Sequence, residues 1–359
     1  MCAGAGVAVL GLAASVVSLA APGLSGAAAQ SADELPTEGR FFEPVFDEMV
    51  VTEDIVYGEA VHADGVQRDL HLDLYEPAGD TVGERPVLVL LHGGYLAVGD
   101  HKSDVYGAGP GVARGFVEMG YVVASVQYRL RPDMGFFPHV DPTVFENANL
   151  DAYDDVTAAI GWLRANAVAH RLDPDAVVPF GFSAGGGIAW NLAWMPGSGA
   201  RPGAIEVPAA VSVAGGPFET SQITGEPLAS PTPGDASLLA YHGDADAVVD
   251  YALAAEPCGR AASADVRCDL VTYAGVGHPS IDPAFVPLLV ADVDITTAFL
   301  AEEVLVPLGH LDAVSPPTTP PPPDPPPPPP TPPTAPGGPT VLPTAGPARP
   351  VAGAPDYTG

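Results

Sequence analysis

Basic residues are scarce in this chain. Of 359 residues, 13 are lysine or arginine against 44 aspartate or glutamate, and Lys102 is the single lysine. A formal net charge of −31 repels phosphate backbones and anionic lipid, which excludes nucleic acid and acidic membrane surfaces as partners. Cysteine is scarcer, at three residues, and no Cys-x-x-Cys or paired histidine accompanies them, so no metal site is expected. Long apolar runs are missing too. Residues 7–21 form an apolar stretch too short for a comfortable membrane span, and Ala27-Ala28-Ala29 offers a small-residue cleavage site before Gln30. Residues 1–29 therefore read as a secretory leader, although no basic residue precedes Arg40. Export would remove Cys2 and leave Cys258 and Cys268 as an even pair, predicting one local disulfide in an oxidising compartment.

What is there divides into four parts. The leader is followed by residues 30–50, without clear periodicity, then by a regular alternation of strand and helix signals over residues 51–312. Beyond residue 313 proline dominates, predicting a disordered polyproline II spacer at 313–359 that could reach the cell envelope. Within the alternating part, Leu70, Leu72 and Leu74 share one face of a strand, and residues 87–91 are continuously apolar, as central parallel strands are. Helices are expected at 111–119, 151–167, 184–194, 251–263 and 294–305. Further strands are expected at 122–126, 176–180, 209–213, 237–241 and 266–273. Asp173-Pro174 reads as a break before the strand at 176–180. The segment 132–150 reads as a long loop whose aromatics, Phe136 and Phe137 among them, could wall a substrate. The pattern is that of an α/β protein with a doubly wound, mostly parallel sheet and helices on both faces.

The chemistry concentrates after the strand at 176–180. Gly181-Phe182-Ser183-Ala184-Gly185 is a G-x-S-x-G between a strand and a helix, and a serine on so tight a turn needs neighbours without a Cβ. The turn exposes the Ser183 hydroxyl beside a helix N-terminus, where N–H groups favour negative charge. A hydroxyl is a weak nucleophile at neutral pH and needs a base, which in turn needs a carboxylate. In a parallel sheet these come from the carboxyl ends of later strands. His242-Gly243-Asp244-Ala245-Asp246 supplies two acids there, and Gly275-Val276-Gly277-His278 a histidine framed by glycines. His92-Gly93-Gly94-Tyr95 follows the apolar strand 87–91, and paired glycines let backbone N–H groups converge on a ligand oxygen.

Together these segments resemble the α/β-hydrolases, in the secreted esterase and lipase branch whose oxyanion loop reads His-Gly-Gly, nearest to the acetyl-xylan and feruloyl-esterase-like group. The likeness covers residues 55–305 and also includes Asp73-Leu74-Tyr75-Glu76-Pro77 and Tyr128-Arg129-Leu130. It implies an acyl-transfer mechanism with Ser183 as nucleophile, His278 as base and Asp246, the second acid of its turn, as orienter. It implies an oxyanion hole from the N–H groups of Gly93, Gly94 and Ala184, and no cofactor. Tyr95 departs from the third glycine or small residue of many relatives and joins Phe136 and Phe137 as a candidate substrate wall. The expected substrate is a small-molecule or polysaccharide-linked carboxylic ester with a short acyl group, acetyl or feruloyl. Two rivals stand beside it: a serine peptidase or lipase of the same fold, and a non-catalytic cell-surface binding module.

Overall fold

The computed structural model describes residues 38–104, 107–135, 140–199 and 203–311. The leader, Phe136 and Phe137, and the proline-rich segment lie outside the described residues.

Eight strands form one sheet: β1 (Met49–Val61), β2 (Gln67–Pro77), β3 (Arg85–Leu91), β4 (Val122–Val126), β5 (Leu172–Phe182), β6 (Ala209–Val213), β7 (Ser237–Gly243) and β8 (Cys268–Tyr273). Their order across the sheet is β1-β2-β4-β3-β5-β6-β7-β8. The β1–β2 and β2–β4 pairings are antiparallel, and every pairing from β4 to β8 is parallel. The helices are α1 (Pro110–Glu118), α2 (Pro142–Ala165), α3 (Ala167–His170), α4 (Ala184–Ser198), α5 (Ala252–Ala261), α6 (Phe285–Ala291) and α7 (Val293–Leu300).

Strand β3 is buried throughout, and its pleat splits it between two cores. Val87, Val89 and Leu91 join Leu70, Leu72 and Leu74 against α2, α4 and α5. Leu88 and Leu90 face the opposite core with α1, α6 and α7. Helices therefore cover both faces, which is why this strand is continuously apolar from Val87 to Leu91. Trp190 and Trp194 of α4 are fully buried and meet edge to face, with ring centroids 4.6 Å apart. Burying side chains of this size contributes roughly 2–3 kcal/mol each.

Three elements differ from the sequence expectations. The segment 132–150 is not one loop: α2 already begins at Pro142, nine residues before the expected start at 151. Asp141 caps it, its Oδ1 accepting from the N–H groups of Thr143 and Val144, and Pro142 occupies the first turn, where a missing N–H costs nothing. Asp173-Pro174 does not stop the chain but lies inside β5, and a register irregularity between Arg85 and Val87 of β3 accommodates it. Helix α6 is an element that the sequence pattern did not reveal. The two cysteines are disulfide-bonded, joining the last turns of α5 to the start of β8 across a Cα–Cα distance of 5.3 Å.

Candidate active site

Ser183 sits between the end of β5 and the first turn of α4 with φ 53° and ψ −115°, a conformation that costs a non-glycine residue about 1–3 kcal/mol. Its neighbours make the turn possible. A Cβ on Gly181 would lie 2.0 Å from the Gly185 carbonyl oxygen, and one on Gly185 would lie 2.1 Å from that of Leu91. Both glycines are therefore sterically required. Two backbone bonds hold the bend: the Ser183 N–H donates to the Val213 oxygen at 2.7 Å, and Gly187 N–H to the Ser183 oxygen at 3.0 Å.

The turns after β7 and β8 converge on this hydroxyl. His278 Nε2 lies 2.9 Å from Ser183 Oγ, and its Nδ1 lies 2.6 Å from Asp246 Oδ2. The other oxygen, Oδ1, accepts from the N–H groups of Val248 and Val249 at 2.8 and 2.9 Å. Burial works against the charged form of Asp246. The hydrogen bonds from His278, Val249 and Val248 outweigh it and hold the carboxyl below its ordinary value. Asp244 is placed differently. It is exposed, and its Oδ1 takes the Gly275 N–H at 2.6 Å, so it pins the turn that carries His278. The backbone on the far side of His278 is fixed as well, because the N–H groups of Ile281 and Asp282 both donate to its carbonyl oxygen. His242, fully buried, braces the Asp246 turn by donating from Nε2 to the Val249 oxygen at 3.0 Å.

Gly93 and Gly94 follow β3, the strand that pairs with β5, and both line the cavity into which Ser183 opens. Gly94 has φ +112°, and a Cβ there would lie 1.9 Å from the Val98 oxygen. Ala184 is the first residue of α4, where a helical N–H has no partner within its own helix. The loop is anchored from behind: His92 Nδ1–H donates to the Gly93 oxygen at 2.6 Å, and the His92 ring stacks on Tyr128 at 4.2 Å. Burial pushes the His92 imidazole down to about 4, so it is neutral at physiological pH.

Two spaces meet at Ser183. One is a cavity of about 670 Å³ running beneath α1, α6 and α7, and the other a cleft of about 510 Å³ leading past Ala184 and Gly187 to the turn after β6. Tyr95 borders both, its ring 5.9 Å from that of Phe145, which α2 supplies to the cleft. Most of the cavity wall escaped sequence reasoning. Phe182 lay in plain view inside the G-x-S-x-G, but Phe116, Met119, Leu289 and Val293 come from helices whose packing no motif records.

Among the described residues, one group could offer three ligands to a metal: Asp54, Asp73 and His101, whose candidate atoms lie within 4.8 Å of one another. A cation is already in place there, since Lys102 Nζ is 2.8 Å from Asp54 and 3.7 Å from Asp73. Among the described residues, no helix is long and apolar enough to cross a membrane.

A family model described as BD-FAE matches residues 72–200. Carboxylesterase 3 of Pongo abelii is 39% identical over 128 residues, which are 35% of this chain and 21% of that protein. Para-nitrobenzyl esterase of Bacillus subtilis is 34% identical over 128 residues, 35% of this chain and 24% of that one. The chain thus spans between a fifth and a quarter of the length of these curated relatives. Among solved structures, the propionate-bound esterase from the Planctomycetes species Thermogutta terrifontis superposes with a TM-score of 0.53 at 24% identity, covering 72% of this chain and 95% of the other.

Proposed function

We propose that this chain, which has the α/β-hydrolase fold, is a serine hydrolase cleaving carboxylic esters through Ser183, His278 and Asp246. The observation that carries it is the unbroken line of hydrogen bonds from Ser183 Oγ through both His278 nitrogens to Asp246, ending at an open cavity. Ser183 Oγ attacks the ester carbonyl carbon while His278 Nε2 takes its proton. Asp246 keeps the imidazole in the required tautomer and stabilises the imidazolium. The N–H groups of Gly93, Gly94 and Ala184 receive the developing oxyanion, each such donor contributing about 3 kcal/mol to the transition state. His278 returns the proton to the leaving alkoxide, and water, activated by the same histidine, releases the acid from the acyl-enzyme.

The acyl group is read as short, acetyl to feruloyl in size. The BD-FAE match and the propionate-bound structural neighbour support this. Export is part of the proposal, supported by the apolar leader with its alanine cleavage site and by the Cys258–Cys268 bond, which forms in oxidising compartments. Residues 313–359 then serve as a spacer toward the cell envelope, on compositional grounds.

The test is a panel of p-nitrophenyl esters of rising acyl length on the wild type and on Ser183→Ala, with thermal unfolding of both. Hydrolysis by the wild type and background rates in a folded variant are expected. Undiminished hydrolysis by the variant overturns the nucleophile assignment. Inactivity of both forms favours a binding module, and faster cleavage of amides than of esters favours a peptidase.

A further inference from the structure

The two spaces at Ser183 are chemically unlike, and the triad geometry decides which half of an ester each can take. The leaving oxygen must receive its proton from His278 Nε2, so the alcohol half departs on the histidine side of the carbonyl carbon. The 670 Å³ cavity is built on that side, with His278, Pro279 and Ser280 in its wall. The second cleft opens on the other flank, past Ala184, Gly187 and Gly215, and takes no residue from the His278 turn.

The cavity is largely apolar, and two of the polar side chains in its wall away from the triad are engaged elsewhere. Asp104 Oδ1 accepts from the N–H groups of Gly111 and Val112 at the start of α1, and Thr296 Oγ1 shares a hydrogen bond with the Tyr241 hydroxyl at 2.7 Å. Ser280 is exposed. Among the described residues the remaining wall is Phe116, Met119, Phe180, Phe182, Leu289 and Val293 with their neighbours, and Tyr95 at the junction with the cleft, while Gly111 and Gly115, four apart on α1, leave that helix face bare. A sugar hydroxyl placed there would give up its water and find few partners. The cleft carries more polar side chains, Asn149, Glu219, Thr220 and Gln222, although Asn149 Nδ2 donates to the Phe145 oxygen and Glu219 pairs with Arg260.

Resting on the esterase reading above, we propose that the cavity binds the alcohol half of the substrate and that this alcohol is an extended apolar one, an alkyl or aryl-alkyl alcohol rather than a sugar. The volume lies within the range of drug-sized ligand sites. Each methylene that enters should raise kcat/KM by up to about fourfold, chiefly through KM.

The experiment measures kcat/KM for ethyl, butyl and hexyl acetate, and separately for p-nitrophenyl acetate, butyrate and hexanoate. Gly115→Leu places a side chain in the cavity from a position where a Cβ meets no atom within 4 Å. The expected result is a hexyl-to-ethyl ratio of at least tenfold in the wild type that falls about tenfold in Gly115→Leu, while the hexanoate-to-acetate ratio moves by less than threefold. Val290→Asp, at a wall position that is 67% exposed and so spares the core, should lower the hexyl-to-ethyl ratio in the same direction. A flat alcohol series in an enzyme that hydrolyses p-nitrophenyl acetate overturns the proposal and leaves the esterase reading standing. So does a Gly115→Leu effect confined to the acyl series. Inactivity on every ester overturns the esterase reading itself.

Discussion

His92 couples the Gly93–Gly94 loop to acid stability. A histidine free in an unfolded chain titrates near 6.5, whereas burial holds folded His92 at about 4. Above pH 6.5 neither state carries the proton and stability is undiminished. As pH falls through 6.5 the unfolded chain takes up the proton first, and stability is lost until, near pH 4, the folded protein takes it too. The slope is about 1.4 kcal/mol per pH unit, so the full loss from this one residue is about 3 kcal/mol. The structural reason lies at the ring: Nδ1–H is spent on the Gly93 oxygen, and Nε2 is buried with no hydrogen-bond partner to receive a second proton. His101 and His242, also held down by burial, add to the acid sensitivity in the same direction. The perturbation is His92→Asn, which keeps an N–H donor near Gly93 and cannot titrate. Urea denaturation at pH 7.5, 6.5, 5.5 and 4.5 should show the wild type losing about 2.5 kcal/mol more than the variant over that span. Parallel stability curves would refute the assignment.

Three further outcomes follow from the geometry. Gly185→Ala drives a Cβ to 2.1 Å from the Leu91 carbonyl, and chemical denaturation should show a loss of about 3 kcal/mol or more together with loss of esterase activity. Asp246→Asn keeps the acceptor for Val248 and Val249 but no longer fixes the His278 tautomer. It should lower kcat by about 10⁴-fold while leaving the melting temperature within a few degrees. Cys268→Ser removes a bond closing a short loop and should cost about 2–3 kcal/mol, an effect that reducing agent reproduces on the wild type.

The elbow, the acid turn and the histidine turn could be found in the chain because each demand is local. Gly181 and Gly185 are required by contacts within one turn and one neighbouring strand, and such residues announce themselves in a short window. The sheet was legible for the same reason, since residues 87–91 of β3 are continuously apolar and β6 is apolar but for Ser212. Helix α6 and the early start of α2 were not. Phe285–Ala291 is seven residues of apolar chain interrupted by Pro287, too short to show a helical period. Asp141-Pro142 carries a helix-start signal, but the aromatic residues and the Pro132 and Gly135 breaks around it give the segment the composition of a loop. The cavity was the least legible feature. It is space left by glycines on α1 and bounded by residues near 112, 182 and 293, and no window of sequence contains all of them.

The pairing of β3 with β5 sets Leu91 opposite Gly181, so the sheet's own ladder delivers the Gly93–Gly94 loop and the reactive serine side by side. The proposed catalytic groups thereby hang on a pair of strands packed between two cores. The walls of the cavity proposed to take the alcohol half come largely from α1 and α6. Mutational libraries confined to the cavity-facing positions of those two helices should therefore shift selectivity while leaving the Leu91–Gly181 ladder, and with it the rate of the chemical step, in place.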